Sequence, residues 1–349
     1  MLLLSDIIYY MEKLNKLKNF YNKYVGINLK ELIFLIIFVC FCFYDTGYMI
    51  YKPGGIVNVD TRITGNNLYE SSGTFNMAYV SAIKGKAPIY LIAKLMPNWE
   101  LVKNSDVVID NETMEDVEIQ DRLDYQKAMA DAKYVALKKA GVDFNLDKET
   151  FYIYYLTKEN TSDLKVGDEI ISYDNILFKD LNTFKEYVSN KNINDEIKIK
   201  YKRKNNEYET SAKIYEKDNE KYIGISVVSL LDVSSKYNLE IKNKNSESGP
   251  SGGLIMSLSM YNAITSEDIT KGKKIVGTGT IDRDGNVGAI GGINYKLASA
   301  VKEKADIFIC PVDNYDEVKE LMDKYNYKIK VISVSTFDEA IRKLEQNFA

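Results

Sequence analysis

Two short stretches carry residue types able to do hydrolytic chemistry. The first is Ser248-Gly249-Pro250-Ser251-Gly252-Gly253, followed at once by the apolar run Leu254-Ile255-Met256-Ser257-Leu258-Ser259-Met260-Tyr261. Glycine and proline hold an irregular turn there, and Ser251 falls at the N-terminus of the helix that the apolar run predicts. Free backbone N–H groups and the positive end of the helix dipole at that point would stabilise an oxyanion. A serine in this place also serves as a plain helix cap, so position alone leaves nucleophile and cap as even readings. The second stretch, Gly291-Gly292-Ile293-Asn294-Tyr295-Lys296, opens another predicted helix with Asn294 as N-cap and Lys296 in the first turn. A cation there opposes the helix dipole, and burial would lower its pKa from about 10.4 toward the range of about 7–8 that suits a general base. The plainer reading is a solvated surface lysine, the default in a chain with 46 lysines and arginines.

The composition narrows the chemistry further. The 349 residues include no histidine, which removes Ser-His, Cys-His and His-metal mechanisms together. A proton acceptor must then be a carboxylate, a lysine or a tyrosine, and Lys296 becomes the natural partner for a serine nucleophile. Of three cysteines, Cys40 and Cys42 lie in an apolar run and Cys310 stands alone, which excludes a disulfide framework beyond that run and a four-cysteine zinc site. A net charge of −4, with 45% hydrophobic and 28% charged residues, is an ordinary globular balance and argues against nucleic acid as a partner. No Gly-x-x-x-x-Gly-Lys-Ser/Thr phosphate loop occurs, so neither nucleotide nor any other cofactor or metal is expected.

Four motifs follow one another in the last third: Gly249-Pro250-Ser251-Gly252-Gly253, Gly277-Thr278-Gly279-Thr280-Ile281, Asp284-Gly285-Asn286-Val287-Gly288 and Gly291-Gly292-Ile293-Asn294-Tyr295-Lys296-Leu297-Ala298. Together they resemble the proteolytic domain of the Lon family of Ser–Lys peptidases, from about Ile223 to the C-terminus. The likeness continues through Ile307–Pro311 and Val331–Val334, the latter before a final helix. It implies Ser251 as nucleophile, Lys296 as base and Thr278 beside the lysine to orient its ammonium. The backbone N–H groups of Ser251 and its neighbours would form the oxyanion hole, with Gly249, Pro250 and Gly252 as supporting residues. Ser248 stands where many Lon enzymes carry an acid, and Glu247 is adjacent but out of register. Without the ATPase that usually accompanies Lon, the resemblance implies an ATP-independent endopeptidase acting on unfolded or flexible protein segments. Lon-type domains commonly form rings, which implies a homo-oligomer. Two other readings compete: a peptide-binding adaptor whose Lon-type domain is idle, and a protein that cleaves only itself.

The flanking elements must position these residues. Leu32–Tyr44 is strongly apolar, and extension to Tyr51 reaches 20 residues with Asp45 as the single charge, long enough to cross a bilayer. Lys13, Lys16, Lys18, Lys23 and Lys30 precede it, while Lys52 and Arg62 follow, so the positive-inside rule places residues 1–31 in the cytosol and the catalytic part outside the cell. A buried core helix is the competing reading of 32–51. Residues 52–140 read as a strand-rich spacer, broken at Pro53-Gly54-Gly55 and ending in a helix with a Thr113/Asp116 capping box. Ala128, Ala132, Val135, Ala136 and Ala140 give that helix a small-residue face, and Gly141 stands as its C′ residue. In 141–216, Leu164-Lys165-Val166-Gly167-Asp168-Glu169-Ile170-Ile171, then a short helix and two strands, resemble a PDZ domain. Such domains bind extended peptides by strand addition, although the family's Gly-Leu-Gly-Phe loop is not recognisable before Phe151. The expected class is α+β: a single transmembrane helix, a spacer, a PDZ-like domain and a Lon-type domain over 217–349, the layout of membrane-anchored PDZ–Lon proteins of bacteria.

Overall fold

The computed structural model describes residues 2–24 and 29–348. Helices α1 (Leu2–Tyr24) and α2 (Leu29–Phe43) lead into strand β1 (Asp45–Asn58). Strands β2 (Thr74–Lys86) and β3 (Glu100–Lys103) follow, and then the long helix α3 (Met114–Lys139). A run of β4 (Phe144–Leu156), β5 (Glu169–Tyr173), α4 (Leu181–Ser189), β6 (Glu196–Arg203), β7 (Asn206–Lys213) and β8 (Ile225–Ser235) comes next. The last third holds α5 (Gly253–Ile264), β9 (Lys274–Gly277), α6 (Ile293–Lys302) and β10 (Ile307–Pro311), then α7 (Tyr315–Tyr325), β11 (Lys330–Val334) and α8 (Phe337–Phe348).

The transmembrane helix expected over 32–51 is not formed, and the single-pass membrane location built on it is not supported. Helix α2 stops at Phe43, and residues 45–51 are strand, paired with β2 on one edge and β3 on the other. Fifteen helical residues rise about 22 Å, short of the about 30 Å of a hydrocarbon core. Among the described residues no helix is long and apolar enough to cross a membrane. The physical reason is a change of period that summed hydropathy does not register. Gly47 takes φ +73° near the start of β1, and Ile50 is wholly buried in the sheet rather than facing lipid. The side chains from Leu32 to Phe43 are nonetheless largely exposed.

One six-stranded sheet runs in the order β11-β10-β9-β2-β1-β3. Strands β11, β10, β9 and β2 are mutually parallel, while β1 runs against both β2 and β3. Every residue of β10 is buried, as expected of a parallel strand covered on both faces. Its alternation assigns the two layers: Ile307 and Ile309 join the core under α3, α5 and α8, whereas Phe308 and Cys310 join the core under α6 and α7. Residues 52–140 are therefore no separate spacer in this fold. Their long strands pair with the C-terminal ones, and α3 packs its small face, Ala128, Ala132, Val135 and Ala136, into the same core as Leu254, Ile255 and Leu258. Helix α3 starts at a complete capping box, Asp116 N–H donating to Thr113 Oγ1 at 3.2 Å and Thr113 N–H to Asp116 Oδ2 at 2.9 Å.

The second sheet is antiparallel throughout, in the order β8-β4-β5-β6-β7, with α4 laid against it. Period-two burial explains it: Ile197, Ile199 and Tyr201 point inward while Lys198 and Lys200 point outward. Asp180 caps α4 by accepting from Thr183 N–H at 2.8 Å. Phe184 and Val188 meet Tyr173, Phe178 and Ile214 in the core.

Candidate active site

Ser251 sits in the turn that delivers the chain into α5. Gly249 adopts φ +81°, and its N–H donates to the Asp121 carbonyl of α3 at 2.7 Å. The Ser251 carbonyl then accepts two bonds, from Thr278 Oγ1 at 3.0 Å and from Gly279 N–H at 2.8 Å. Leu254 N–H returns a bond to the Gly279 carbonyl at 3.0 Å, so the residues after β9 clamp the backbone around Ser251 from both sides. Close approach is what requires glycine at 252 and 253. A Cβ on Gly252 would lie 2.0 Å from Met77 Sδ, and one on Gly253 would lie 2.7 Å from Ile281 Cγ2. The N-cap of α5 is Gly252, with no side-chain bond, so Ser251 is not spent as a cap. The first two amides of α5 are spent within the turn and its clamp, Gly253 N–H donating to the Pro250 carbonyl at 3.2 Å and Leu254 N–H to Gly279.

Lys296 lies in the first turn of α6, 3% exposed. The expected Asn294 cap is not formed. Gly292, at φ +67°, is the N-cap, and the helix begins at Ile293. Ile293, Leu297 and Ala300 dock α6 on Ala78, Val276 and Phe308 of the sheet, which carries Lys296 inward with them. Burial alone lowers its pKa to about 8, and among the described residues no carboxylate pairs with it. Thr278, fully buried, spends its hydroxyl on the Ser251 carbonyl.

A cavity of about 370 Å³ opens at Ser251, lined among others by Met77, Tyr79, Ser81, Tyr125, Glu247 and Gly252. Val80, on the same lining strand, is the residue against which Gly292 closes, since a Cβ on Gly292 would come within 2.8 Å of Val80 Cγ2. The turns bearing Ser251 and Lys296 thus flank one stretch of β2. Glu247 holds the approach to Ser251. It accepts from Arg62 Nη1, from Tyr125 Oη at 3.0 Å and from Lys244 N–H at 3.1 Å. Partial burial opposes its ionisation, but the hydrogen bonds from Arg62, Lys244 N–H and Tyr125 prevail and keep its carboxyl below the ordinary glutamate range. The residue out of register in the sequence is therefore the one that anchors this loop.

One feature of the second sheet has no counterpart in the sequence reading. Strand β8 is an edge strand, and Gly224, at φ +75°, stands between Ile223 and its first residue, Ile225. The glycine-bearing turn thus stands after the two last PDZ-like strands rather than before Phe151. Lys221, just ahead of it, donates to the Ser189 carbonyl at the end of α4 at 3.0 Å. The signal was present as an apolar-Gly-apolar turn opening the run Ile225–Leu231, but at a chain position displaced from the usual one.

The chain thus joins a mixed sheet, which carries the turn of Ser251 and the buried Lys296, to an antiparallel sheet that ends in β8. Residues 243–346 match the family of the Lon protease C-terminal proteolytic domain, and residues 140–214 match the PDZ domain family. The chain is 30% identical over 96 residues to a Lon protease of Aster yellows witches'-broom phytoplasma, covering 28% of this chain and 12% of that protein. It is 30% identical over 131 residues to the Lon protease of Lachnoclostridium phytofermentans, covering 34% of this chain and 16% of that one. It thus spans a small fraction of the length of these relatives. The PDZ domain of an SdrC-like protein from Listeria monocytogenes is 24% identical, covering 24% of this chain and 93% of that chain, with a TM-score of 0.22. The chain therefore carries one segment matching a Lon-type proteolytic domain and one matching a PDZ domain.

Proposed function

We propose that the protein is a serine endopeptidase working without nucleotide, with Ser251 as nucleophile and Lys296 as general base. The burial of Lys296 without a carboxylate partner carries this reading. A solvated lysine is an ammonium at neutral pH, whereas one with a pKa of about 8 is neutral in roughly a tenth of molecules at pH 7. The neutral amine takes the Ser251 hydroxyl proton as Oγ attacks the scissile carbonyl. The oxyanion that forms is taken by the backbone N–H groups of Ser251 and Gly252, since those of Gly253 and Leu254 are already bonded. Collapse passes the proton from Lys296 to the leaving amine and leaves an acyl-enzyme on Ser251. Water then gives a proton to Lys296 and attacks the ester. The new carboxylic product departs as Ser251 regains its proton.

The substrate class follows from β2. Strand β9 pairs with it only over Thr74–Met77, and among the described residues the continuation from Ala78 has no partner on that edge. Tyr79, Val80, Ser81 and Ala82 of this open stretch line the cavity at Ser251. An extended segment adding there as a strand would bring its backbone past the serine, which favours unfolded or flexible chains over folded ones. In the same reading, the open edge of β8 beside α4 takes a peptide tail, with the turn at Gly224 at its end. That edge also favours a second reading, a peptide-binding adaptor without turnover.

The test uses residues 45–349, which retain all of β1, incubated without nucleotide with a reduced, alkylated and therefore unfolded protein. Release of peptides by the parent chain, and by neither Ser251→Ala nor Lys296→Ala, is the expected result across pH 6–10. Equal release by Ser251→Ala overturns the mechanism. Stoichiometric capture without release by any of the three selects the adaptor.

A further inference from the structure

One side chain bonds directly to elements of both modules. Arg283 lies in the turn between the short paired strands Thr280–Ile281 and Val287–Gly288, which form a hairpin in the chain between Thr278 and Lys296. Its guanidinium donates in three directions: Nε to Asp131 Oδ1 of α3 at 3.1 Å, Nη1 to Glu149 Oε1 of β4 at 2.7 Å, and Nη2 to Ser229 Oγ of β8 at 3.2 Å. Strands β4 and β8 are direct neighbours, with Leu231 opposite Glu149 and Ser229 opposite Phe151. The planar fork therefore spans two strands of the PDZ-type sheet, including the one with the open edge, while its third arm meets an acid whose side chain is 1% exposed.

The other end of the hairpin is the clamp on the nucleophile. Gly279 N–H and Thr278 Oγ1 bond the Ser251 carbonyl, Leu254 N–H bonds the Gly279 carbonyl, and Ile281 closes on Gly253. We infer that Arg283 is a positioning residue through which the PDZ-type sheet sets the backbone of Ser251. The inference deepens the peptidase reading, because the backbone it positions is that of the proposed nucleophile. The hairpin is also tied to the segment before α8, where Phe337 N–H donates to the Gly285 carbonyl at 2.8 Å and Val287 N–H to the Ser335 carbonyl at 2.9 Å. Arg283 adds its tie to the PDZ-type sheet, and a shift of about 1 Å in the groups around Ser251 is costly to a reaction that depends on alignment.

Glu149→Ala combined with Ser229→Ala removes the anchorage on the second sheet and leaves the buried Asp131 paired with Lys127 and Arg283. Amide hydrogen exchange on this variant reads Gly279 and Leu254 against the amides of β6 and β7 as an internal control of folding. About tenfold faster exchange at Gly279 and Leu254, with β6 and β7 unchanged, is expected. In turnover, kcat falls about tenfold while KM stays within about twofold, since only alignment is lost. Arg283→Lys, which keeps the charge but not the fork, falls between parent and double variant. Parent-like exchange at both amides overturns the inference. If the parent chain hydrolyses nothing, the peptidase reading fails on its own, and the exchange rates still decide whether the sheet positions Ser251.

Discussion

At the scale of single residues, Lys296 binds function and stability with opposite signs. Its folded pKa, about 8, lies below the 10.5 of the unfolded chain because burial penalises the ammonium. Between those two values the unfolded chain holds more protons, so stability rises with pH; below about 8 the cost of the buried charge is present in full. Lys296→Met removes that cost while filling the same space. It is expected to raise stability at pH 7 by about 2 kcal/mol, with the gain shrinking toward pH 10. Thermal melts of parent and variant at several pH values check this, and a variant less stable at pH 7 would mean that the ammonium has a partner. Under the proposed mechanism turnover is expected to climb as pH rises through about 8 in the parent and to be lost in the variant. The glycine-rich turns before α5 and α6 were legible in the sequence because such turns are local features. The direction of the Thr278 hydroxyl toward the Ser251 carbonyl was not, since it depends on how β9 meets α5 in space.

Among elements, the junction of α5 with the 280–288 hairpin has the least room. A Cβ at Gly253 would come within 2.7 Å of Ile281 Cγ2 and 3.0 Å of the Ile281 nitrogen, and the second contact cannot be relieved by a rotamer change. Gly253→Ala is therefore expected to push the hairpin away from Ser251. Overpacking of this kind costs about 1–3 kcal/mol, read as a lower midpoint in urea, and the accompanying loss of activity should exceed what the lost stability explains. A parent-like midpoint and rate would show that the junction has slack. Element boundaries were the least legible part of the sequence. The apolar residues of 32–51 sum to one long span, yet the chain turns from helix to strand at Asp45, where burial of Ile50 between β2 and β3 replaces exposure of a helix side. Hydropathy records how apolar a segment is and not which period it follows. The turn at Gly224 escaped for a related reason. Which strand lies at a sheet edge is a property of the pairing, and Ile223-Gly224-Ile225 acquires its place only once β8 has joined β4.

For the molecule as a whole, the decisive fact is that the sheet beneath the site is assembled from both ends of the chain. Residues 243–346, the part that matches the Lon proteolytic domain family, supply β9, β10, β11 and the helices α5 to α8. They do not supply β2, against which β9 pairs in parallel, nor α3, which covers α5. Without those elements Ile255, Leu258 and Ile275 are stripped of the cover of Phe75, Ala132 and Leu137, all of them buried in the complete fold. Such long-range pairing leaves no local trace, which is why residues 52–58 and 74–86 read as a spacer while their partners read as a domain. The consequence is testable by dissection. Residues 243–349 produced alone are expected to bind a hydrophobic dye, to lack near-ultraviolet dichroism and to be digested at once by a general protease. Residues 45–349 should resist digestion and melt cooperatively. Addition of 45–242 to 243–349 as a separate chain should restore that resistance, because strand pairing and apolar packing, not the peptide bond at 242–243, hold the two pieces together. A folded, protease-resistant 243–349 fragment would mean that the C-terminal strands hold their own core, and that the strands before the PDZ-type sheet only extend it.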